Sequence, residues 1–471
     1  MVQIALSVME NVYILLSAIS AFVLFGVIAP LHKRKKLQLT LSTLSLIMVV
    51  IGASYVFTAS PFVSTVSLFA IYPFSMFFVI LFSIALILIN ILSYRNAKDY
   101  IQFSTMLSFI GLGLFAVSMA NSLITILLGI ELVTIPTAFA ILLNGKNYVE
   151  AAVKLFIMAA IGVSMIAFAI VLLFPLDPQL SLSMTISNSS STATYLSLLS
   201  LLLFIAGLSF DASLFPFNLW VPDVYAGAPG YITALLAGVN KKIAFVALFE
   251  ILFIVMAPFS STFALLFQGL AIVTMFFGNI AAMIQDNVKR LFAYSSISQA
   301  GYIAIGLATA TPYGISASIF QIAAHMFMII GTFAIVMWLE QKNVKTLNDY
   351  NGLSARNGFA ALSLTVFMLS MIGMPPLMGF VGKFLLFTGA ISANLLPLAV
   401  LAIINSFISV YYYAKVILAM YSKREREALP ADASVNAVVW ICLILIVLLG
   451  IYPQPLITIT SISAASLQLL H

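Results

Sequence analysis

Apolar residues run along the chain in long stretches, and polar residues are concentrated in the short connections between them. A stretch of about 20 apolar residues can cross a bilayer as a helix, and the pattern predicts about fourteen such spans. The expected spans cover, by that length rule, about 11–31, 39–57, 68–93, 102–119, 122–143, 150–174, 196–217, 229–255, 260–284, 291–309, 314–339, 357–388, 395–420 and 435–460.

Composition agrees with this pattern, because 63% of the 471 residues are hydrophobic and only 7% are charged. Soluble domains carry about 25% charged residues. We therefore expect an all-α polytopic membrane protein, and the composition argues against a soluble enzyme, a nucleic-acid-binding protein and a β-barrel. Cys442 is the only cysteine and the three histidines are far apart, so we expect neither a metal site nor an electron-carrying cofactor in this chain.

The distribution of basic residues supports the span count and predicts an orientation. Fifteen of the 20 Lys and Arg residues fall in connections after odd-numbered spans, and none falls in a connection after an even-numbered span. By the positive-inside rule, both termini then face away from the cytoplasm. The fifteen residues are Lys33, Arg34, Lys35, Lys36, Arg95, Lys98, Lys146, Lys289, Arg290, Lys342, Lys345, Arg356, Lys423, Arg424 and Arg426.

The other five basic residues fall inside predicted spans, as do the acidic residues Glu131, Asp211 and Glu250, and a charge at the centre of a span costs about 2.5–3.5 kcal/mol. This cost favours a functional role for Glu131, Lys242 and Lys383. Lys154 and Lys415 lie nearer to helix ends, so snorkelling to the membrane surface is an equally good interpretation. The remaining members of the set are Lys241, Asp211 and Glu250, of which Glu250 is also a candidate for a structural ion pair.

Two predicted spans contain helix-breaking residues: Pro216 in span 7 and the segment Gly373–Gly379 in span 12. Paired interruptions five spans apart are typical of inverted five-helix repeats, although ordinary proline kinks are an alternative. We therefore predict discontinuous helices 7 and 12 and four regions. These are helices 1–3 (1–101), a first repeat of helices 4–8 (102–255), a second repeat of helices 9–13 (256–421) and helix 14 (422–471).

Four stretches resemble the antiporter-like membrane subunits of respiratory complex I and its relatives. They are Gly129–Leu132, Glu150–Phe156, Pro216–Pro229 and Val288–Tyr302. The 14-residue connection Pro216–Pro229 is the most specific of them, and the lysine in Gly382-Lys383-Phe384 is similar to the N type of these subunits. The resemblance implies a proton-translocating subunit of a complex I-like oxidoreductase that uses NADH, reduced deazaflavin or ferredoxin and a quinone.

The resemblance also implies a proton relay, onto which it places Glu131, Lys242 and Lys383. Asp211 stands where the family has a lysine, and we hypothesise that Lys241 supplies the missing positive charge. Lys154 is a further relay candidate. His325 either joins the relay or hydrogen-bonds in the core. Asn218 and Gln299 replace histidines found in some members.

The implied partners are the lipid bilayer, protons and other membrane subunits, with iron–sulfur clusters and the quinone site in other subunits and no nucleic acid. The expected location is the plasma or inner membrane. Two alternatives stay open: a subunit of a multi-subunit cation/proton antiporter, and a structural subunit whose channel is inactive.

Overall fold

A computed structural model describes residues 2–59, 64–66, 68–184, 191–423 and 427–470. Arg424 and Arg426, two of the arginines predicted to be cytoplasmic, lie outside the described residues. Within the described part, helices follow one another with short connections. One small hairpin joins strands β1 (Ser64–Val66) and β2 (Phe69–Ile71) in antiparallel register, with Ser64 opposite Ile71.

The α-helices are, in chain order, α1 (Val2–His32), α2 (Lys35–Ala59), α3 (Pro73–Asn96), α4 (Tyr100–Ser118), α5 (Leu123–Leu142), α6 (Val149–Leu173), α7 (Ser191–Ala212), α8 (Trp220–Gly227), α9 (Gly230–Leu235), α10 (Lys241–Glu250), α11 (Ser260–Met283), α12 (Val288–Thr309), α13 (Pro312–Glu340), α14 (Leu353–Arg356), α15 (Gly358–Ile372), α16 (Met378–Ser392), α17 (Leu396–Met420), α18 (Ala433–Ile451) and α19 (Gln454–Ser466). Two π-helical segments (Leu236–Asn240, Ile251–Val255) and four short 3₁₀ segments (Lys146–Tyr148, Ala257–Phe259, Leu347–Tyr350, Leu467–Leu470) complete the helical structure.

Eleven helices in the described part are long and apolar enough to cross a membrane. They match predicted spans 2–7, 9–11, 13 and 14. Of the other three predicted spans, span 1 lies within the 31-residue helix α1, span 8 is interrupted by the π-helical segment Leu236–Asn240, and span 12 is split between α15 and α16. The protein is a multi-pass helical membrane protein, and the total of fourteen spans and their inverted repeats stay predictions.

The helices form two compact units. The first unit comprises residues 1–212, 239–263 and 459–471, and it therefore contains α1–α7 and α10. The second unit comprises residues 213–238 and 264–458, and it therefore contains α8, α9 and α12–α18. The four-region division expected from the sequence stays a prediction.

An interruption at Pro216 is present, but the predicted bounds around it were wrong. Helix α7 ends at Ala212, Ser213 adopts a left-handed conformation (φ 61°), and helix resumes only at Trp220. The segment 217–229, expected to be a plain connection, thus contains the eight-residue helix α8. Pro216 cannot donate a backbone hydrogen bond, so it lies between helices and not inside α7.

The second interruption agrees with the prediction. Helix α15 ends at Ile372, Gly373 takes the left-handed conformation that suits glycine (φ 98°), and α16 begins at Met378. The prediction of one helix over 435–460 was wrong, because α18 ends at Ile451. The extended Tyr452 precedes Pro453, and a residue before proline is disfavoured in helical geometry.

Candidate functional site

The first unit carries its candidate charges on three helices. Glu131 lies in the middle of α5 and is half-buried. Asp211 is the penultimate residue of α7 and is also half-buried. Lys241 and Lys242 open α10 and expose only 2% and 0% of their surfaces. Because α10 packs against α7, α5 and α4, these helices form one packed group.

Glu131 and Asp211 are both acidic, so they do not form an ion pair with each other. The two carboxyl groups are carried by α5 and α7 of the same unit, and the Oδ2 atom of Asp211 is enclosed without a hydrogen-bond partner in the described part of the chain. Two like charges in a low-dielectric environment repel each other. The positive partner that the family places on this helix is thus absent from α7.

A π-helical segment sets the position of the two lysines. Residues Leu236–Asn240 form one wide turn directly before Lys241, and such turns occur frequently at functional sites. Asn240 is anchored, since its Nδ2 donates to Thr137 Oγ1 of α5 at 2.7 Å. Thr137 in turn donates to the Val133 carbonyl at 2.6 Å. The turn therefore ties the start of α10 to the helix that carries Glu131.

Glu250, a candidate for a structural ion pair, forms none with the residues that the structure describes. It is fully buried at the end of α10 and accepts a hydrogen bond from the Tyr72 hydroxyl on Oε1 at 3.0 Å. Its other oxygen, Oε2, has no hydrogen-bond partner within the described residues. Burial at this depth without a cation was not predictable from the sequence, because Tyr72 is 178 residues away in the chain.

Lys154 and Lys415 have the exposure expected of snorkelling side chains. Lys154 pairs with Glu150 one turn earlier on α6 at 2.7 Å, and the two side chains are 40% and 80% exposed. Lys415 lies 3.6 Å from Asp286, with exposures of 39% and 84%. Exposed pairs of this kind contribute about 0–1 kcal/mol. The geometry of Lys154 favours the snorkelling alternative over a place in the relay.

In the second unit, Lys383 of α16 is 97% buried against the broken end of α15. Its Nζ donates to the Ile372 carbonyl at 3.0 Å and to Ser406 Oγ at 2.9 Å, and it lies 4.2 Å from the centre of the Tyr302 ring. Ile372 is the last residue of α15, whose C-terminal carbonyls lack helical partners and carry partial negative charge. The interruption in span 12 thus supplies the acceptor that holds the lysine.

Two glutamines extend this polar group. Gln321 Nε2 donates to Gln299 Oε1 at 3.1 Å, and Gln299 Nε2 donates to the Met371 carbonyl at 3.1 Å. His325, one turn after Gln321 on α13, is fully buried. The second unit therefore contains Gln299, His325 and Lys383, and the first unit contains the other candidate residues.

Two ion pairs of α12, in the second unit, lie beside α8 and the connection that follows it. Arg290 pairs with Asp223 at 2.9 Å, and Lys289 pairs with Glu340 at 2.9 Å while donating to the Ala228 carbonyl at 2.7 Å. These contacts join the stretch Pro216–Pro229 to the stretch Val288–Tyr302. Asn218 lies in the first of them, buried, with both amide atoms lacking a hydrogen-bond partner among described residues.

Comparison with known proteins decides the family. Residues 120–409, well over half of the chain, match the family described as "NADH:quinone oxidoreductase/Mrp antiporter, TM". The chain belongs to this family of antiporter-like membrane subunits. The matched region includes every candidate site residue: Glu131, Lys154, Asp211, Lys241, Lys242, His325 and Lys383.

Individual relatives refine the assignment of this antiporter-like subunit to the N type. The chain is 32% identical to F(420)H(2) dehydrogenase subunit N of Methanosarcina mazei, over 89% of this chain and 90% of that protein. It is 32% identical to NADH-quinone oxidoreductase subunit N of Desulforamulus reducens, over 95% of each. Among solved structures, it is similar to a chain of respiratory complex I from Thermus thermophilus (TM-score 0.81, 25% identity), covering 94% of this chain and 98% of that one.

Proposed function

We propose that this antiporter-like subunit translocates protons as the N-type membrane subunit of a complex I-like oxidoreductase. The observation that carries the proposal is the set of buried amines inside membrane helices: Lys241, Lys242 and Lys383 expose 3% of their surfaces or less. Charged side chains at this depth are expensive and usually mark ion or proton pathways. Proton transfer needs only groups that can accept and release a proton.

Lys383 has contacts suited to a switch between the charged and the neutral amine. The Ile372 carbonyl and the Tyr302 ring both favour the ammonium, whereas burial favours the neutral amine. Two opposed effects of this kind let a modest change in local charge decide whether the amine holds its proton. His325, on the neighbouring helix α13, is proposed as a further member of the relay in this unit.

In the first unit, Glu131 and Lys242 are the proposed proton carriers, and Lys241 takes over the charge that residue 211 supplies in the family. The proposal is supported by the packing of α10, which carries both lysines, against α7 and α5, which carry Asp211 and Glu131. Asp211, enclosed and unpartnered at Oδ2, is itself a proposed carrier. Lys154 is the weakest relay candidate, given its exposed pairing with Glu150.

Redox chemistry is assigned to other subunits. The relatives are named as subunits of a quinone oxidoreductase and an F(420)H(2) dehydrogenase, so we propose other membrane subunits as partners and place iron–sulfur clusters and the quinone elsewhere in the complex. The proposed location is the plasma membrane, with both termini on the non-cytoplasmic side according to the basic connections.

The proposal is tested with Lys242→Ala in the assembled complex, measuring proton uptake per electron in membrane vesicles. We expect the rate of proton translocation to fall by about tenfold or more, since a proton-transfer group contributes about 10²–10⁴-fold. Lys415→Ala removes an exposed lysine and is the matched control, which we expect to behave as the wild type.

Two outcomes would favour the alternatives. If the chain copurifies without iron–sulfur subunits and exchanges a cation for protons without an electron donor, it is an antiporter subunit. If Lys242→Ala translocates protons at the wild-type ratio, the chain is a structural subunit with an inactive channel, which the Asp211 departure would then explain.

A further inference from the structure

Glu250 and Tyr72 form a second buried ionisable site in the first unit, apart from the relay residues described above. Glu250 exposes none of its surface and Tyr72 exposes 1%. The hydroxyl donates to Oε1 at 3.0 Å. Around them lie the rings of Phe74, stacked 5.9 Å from Tyr72, and Phe249, edge-on to Phe74 at 6.2 Å. The tyrosine that contacts the carboxyl group is therefore itself part of an aromatic cluster.

Stability does not explain a carboxyl group at this position. Oε2 has no hydrogen-bond partner in the described part of the chain, and a buried polar atom without a partner is destabilising by about 1–3 kcal/mol. A glutamine would accept the same bond from Tyr72 without an ionisable group. What glutamate adds is an oxygen that is able to take up a proton.

The Glu250–Tyr72 pair lies at the N-terminal end of α3 and the C-terminal end of α10. Tyr72 immediately precedes α3, and Arg95 lies near the opposite end of that helix. The start of α3 is fixed, because the Phe74 amide donates to Ser466 Oγ of the same unit at 3.0 Å. Tyr72 is only four residues from Leu68, which is 52% exposed. The pair is thus at the helix end remote from the basic connections, close to exposed chain.

Glu250 is also on the same helix as the proposed carrier Lys242. Eight residues separate them in α10, which corresponds to about 12 Å along the axis at about 1.5 Å per residue. The helix continues from the lysine pair toward the end where Tyr72 lies. One continuous, fully buried helix therefore carries ionisable groups at its start and at its end.

We propose that Glu250 is a proton-transfer residue at the non-cytoplasmic end of the first unit, positioned by Tyr72; this rests on the proposed function. In the transfer, Oε2 of the carboxylate forms an O–H bond to a proton released by a protonated donor on the side of the lysine pair, whose own bond to that proton breaks, while Oε1 keeps the bond from Tyr72. Breaking that O–H bond restores the carboxylate and releases the proton toward the aqueous phase. Tyr72 is a positioning residue that holds the group in one orientation.

The test compares Glu250→Gln, Tyr72→Phe and Glu131→Gln in the intact complex, with proton uptake and electron transfer measured in the same vesicles. Glu250→Gln keeps an acceptor for the Tyr72 hydroxyl but has no proton to transfer. We expect it to assemble and to lose about tenfold or more of the proton-translocation rate, following the size of general acid–base effects. Glu150→Gln makes the same change in an exposed pair and is expected to match the wild type.

An infrared difference spectrum between the oxidised and reduced complex tests the roles separately. We expect a carboxylic-acid C=O band that disappears in Glu250→Gln and shifts in Tyr72→Phe, which a purely structural pair would not produce. If Glu131→Gln loses translocation while Glu250→Gln retains the wild-type rate and shows no missing band, the inference fails and the proposed function stands. If both variants translocate protons normally, the proposed function itself fails.

Discussion

The Lys383 ammonium donates a hydrogen bond to the carbonyl of Ile372, the last residue of α15, at 3.0 Å. The bond joins the two halves of an interrupted membrane helix, because Lys383 belongs to α16. Ser406 of α17 reinforces it by donating to the same carbonyl at 2.7 Å while accepting from Lys383. The buried Lys383 therefore depends for its hydrogen bond on the carbonyl that the end of α15 leaves free, and that carbonyl depends on Lys383 and Ser406 for its donors.

Removing the Ser406 hydroxyl tests that dependence. Ser406→Ala deletes one hydrogen bond to a charged group, worth about 1.5–3 kcal/mol, and leaves the Ile372 carbonyl with one donor fewer. We expect the complex to assemble and its proton-translocation rate to fall. Thr388→Ala removes a hydroxyl from an exposed position of α16 and is the control. Equal proton-translocation rates in the two variants would show that the Ser406 hydroxyl does not affect proton transfer by Lys383.

Gly382 tests the glutamine pair beside Lys383. A Cβ at this position would lie 2.1 Å from Gln321 Oε1, so Gly382→Ala must displace the amide group whose Nε2 donates to Gln299. We expect a loss of stability of about 1–3 kcal/mol, typical of overpacking, measured as a lower midpoint of thermal unfolding of the complex. Gly269→Ala, which meets nothing within 4 Å, should leave the midpoint unchanged or raise it.

The charge relationship between Lys241 and Asp211 predicts a rescue. If Lys241 replaces the lysine that α7 lacks, Lys241→Ala should slow proton translocation by about tenfold or more. The double variant with Asp211→Lys should then recover much of the rate, because the positive charge returns on the packed helix α7. If the double variant translocates protons no faster than Lys241→Ala alone, Lys241 does not replace the lysine that α7 lacks.

The ion pair of Lys289 with Glu340 predicts a structural role without a direct part in proton transfer. Lys289→Met leaves the Ala228 carbonyl and the Glu340 carboxylate without their donor; an unsatisfied buried group costs about 1–3 kcal/mol. We expect less assembled complex, but an unchanged ratio of protons to electrons in what does assemble. Lys342→Met, at an exposed position, is the control; a lower ratio in Lys289→Met would contradict this role.

Features encoded locally in the chain were predictable, and features created by packing were not. A short connection, residues 119–122, separates α4 from α5 near the predicted gap between spans 4 and 5, and Gly373 ends α15 where the sequence breaks. By contrast, α8 and the π-helical turn before Lys241 have no sequence pattern that distinguishes them from a connection and a regular helix. The partner of Glu250 was missed for the same reason, since Tyr72 reaches it only through tertiary packing.

The candidate site likewise contains residues that the sequence alone selects and residues that only their contacts identify. Glu131, Asp211, Lys241, Lys242 and Lys383 were predictable because ionisable residues stand out in apolar spans. Ser406, Tyr302 and Gln321 were not, because hydroxyls, rings and amides are common in membrane helices and only their contacts reveal a role. The Ile372 carbonyl carries no side-chain signal at all.

The most direct measurement of the central claim is proton uptake per electron in vesicles containing the complex with Lys383→Arg. A guanidinium keeps the positive charge and hydrogen-bond donors but does not release its proton. We predict an assembled complex whose rate of proton translocation falls by about tenfold or more. Wild-type proton uptake per electron in Lys383→Arg would contradict the account, because it would show that the residue serves only as a fixed charge.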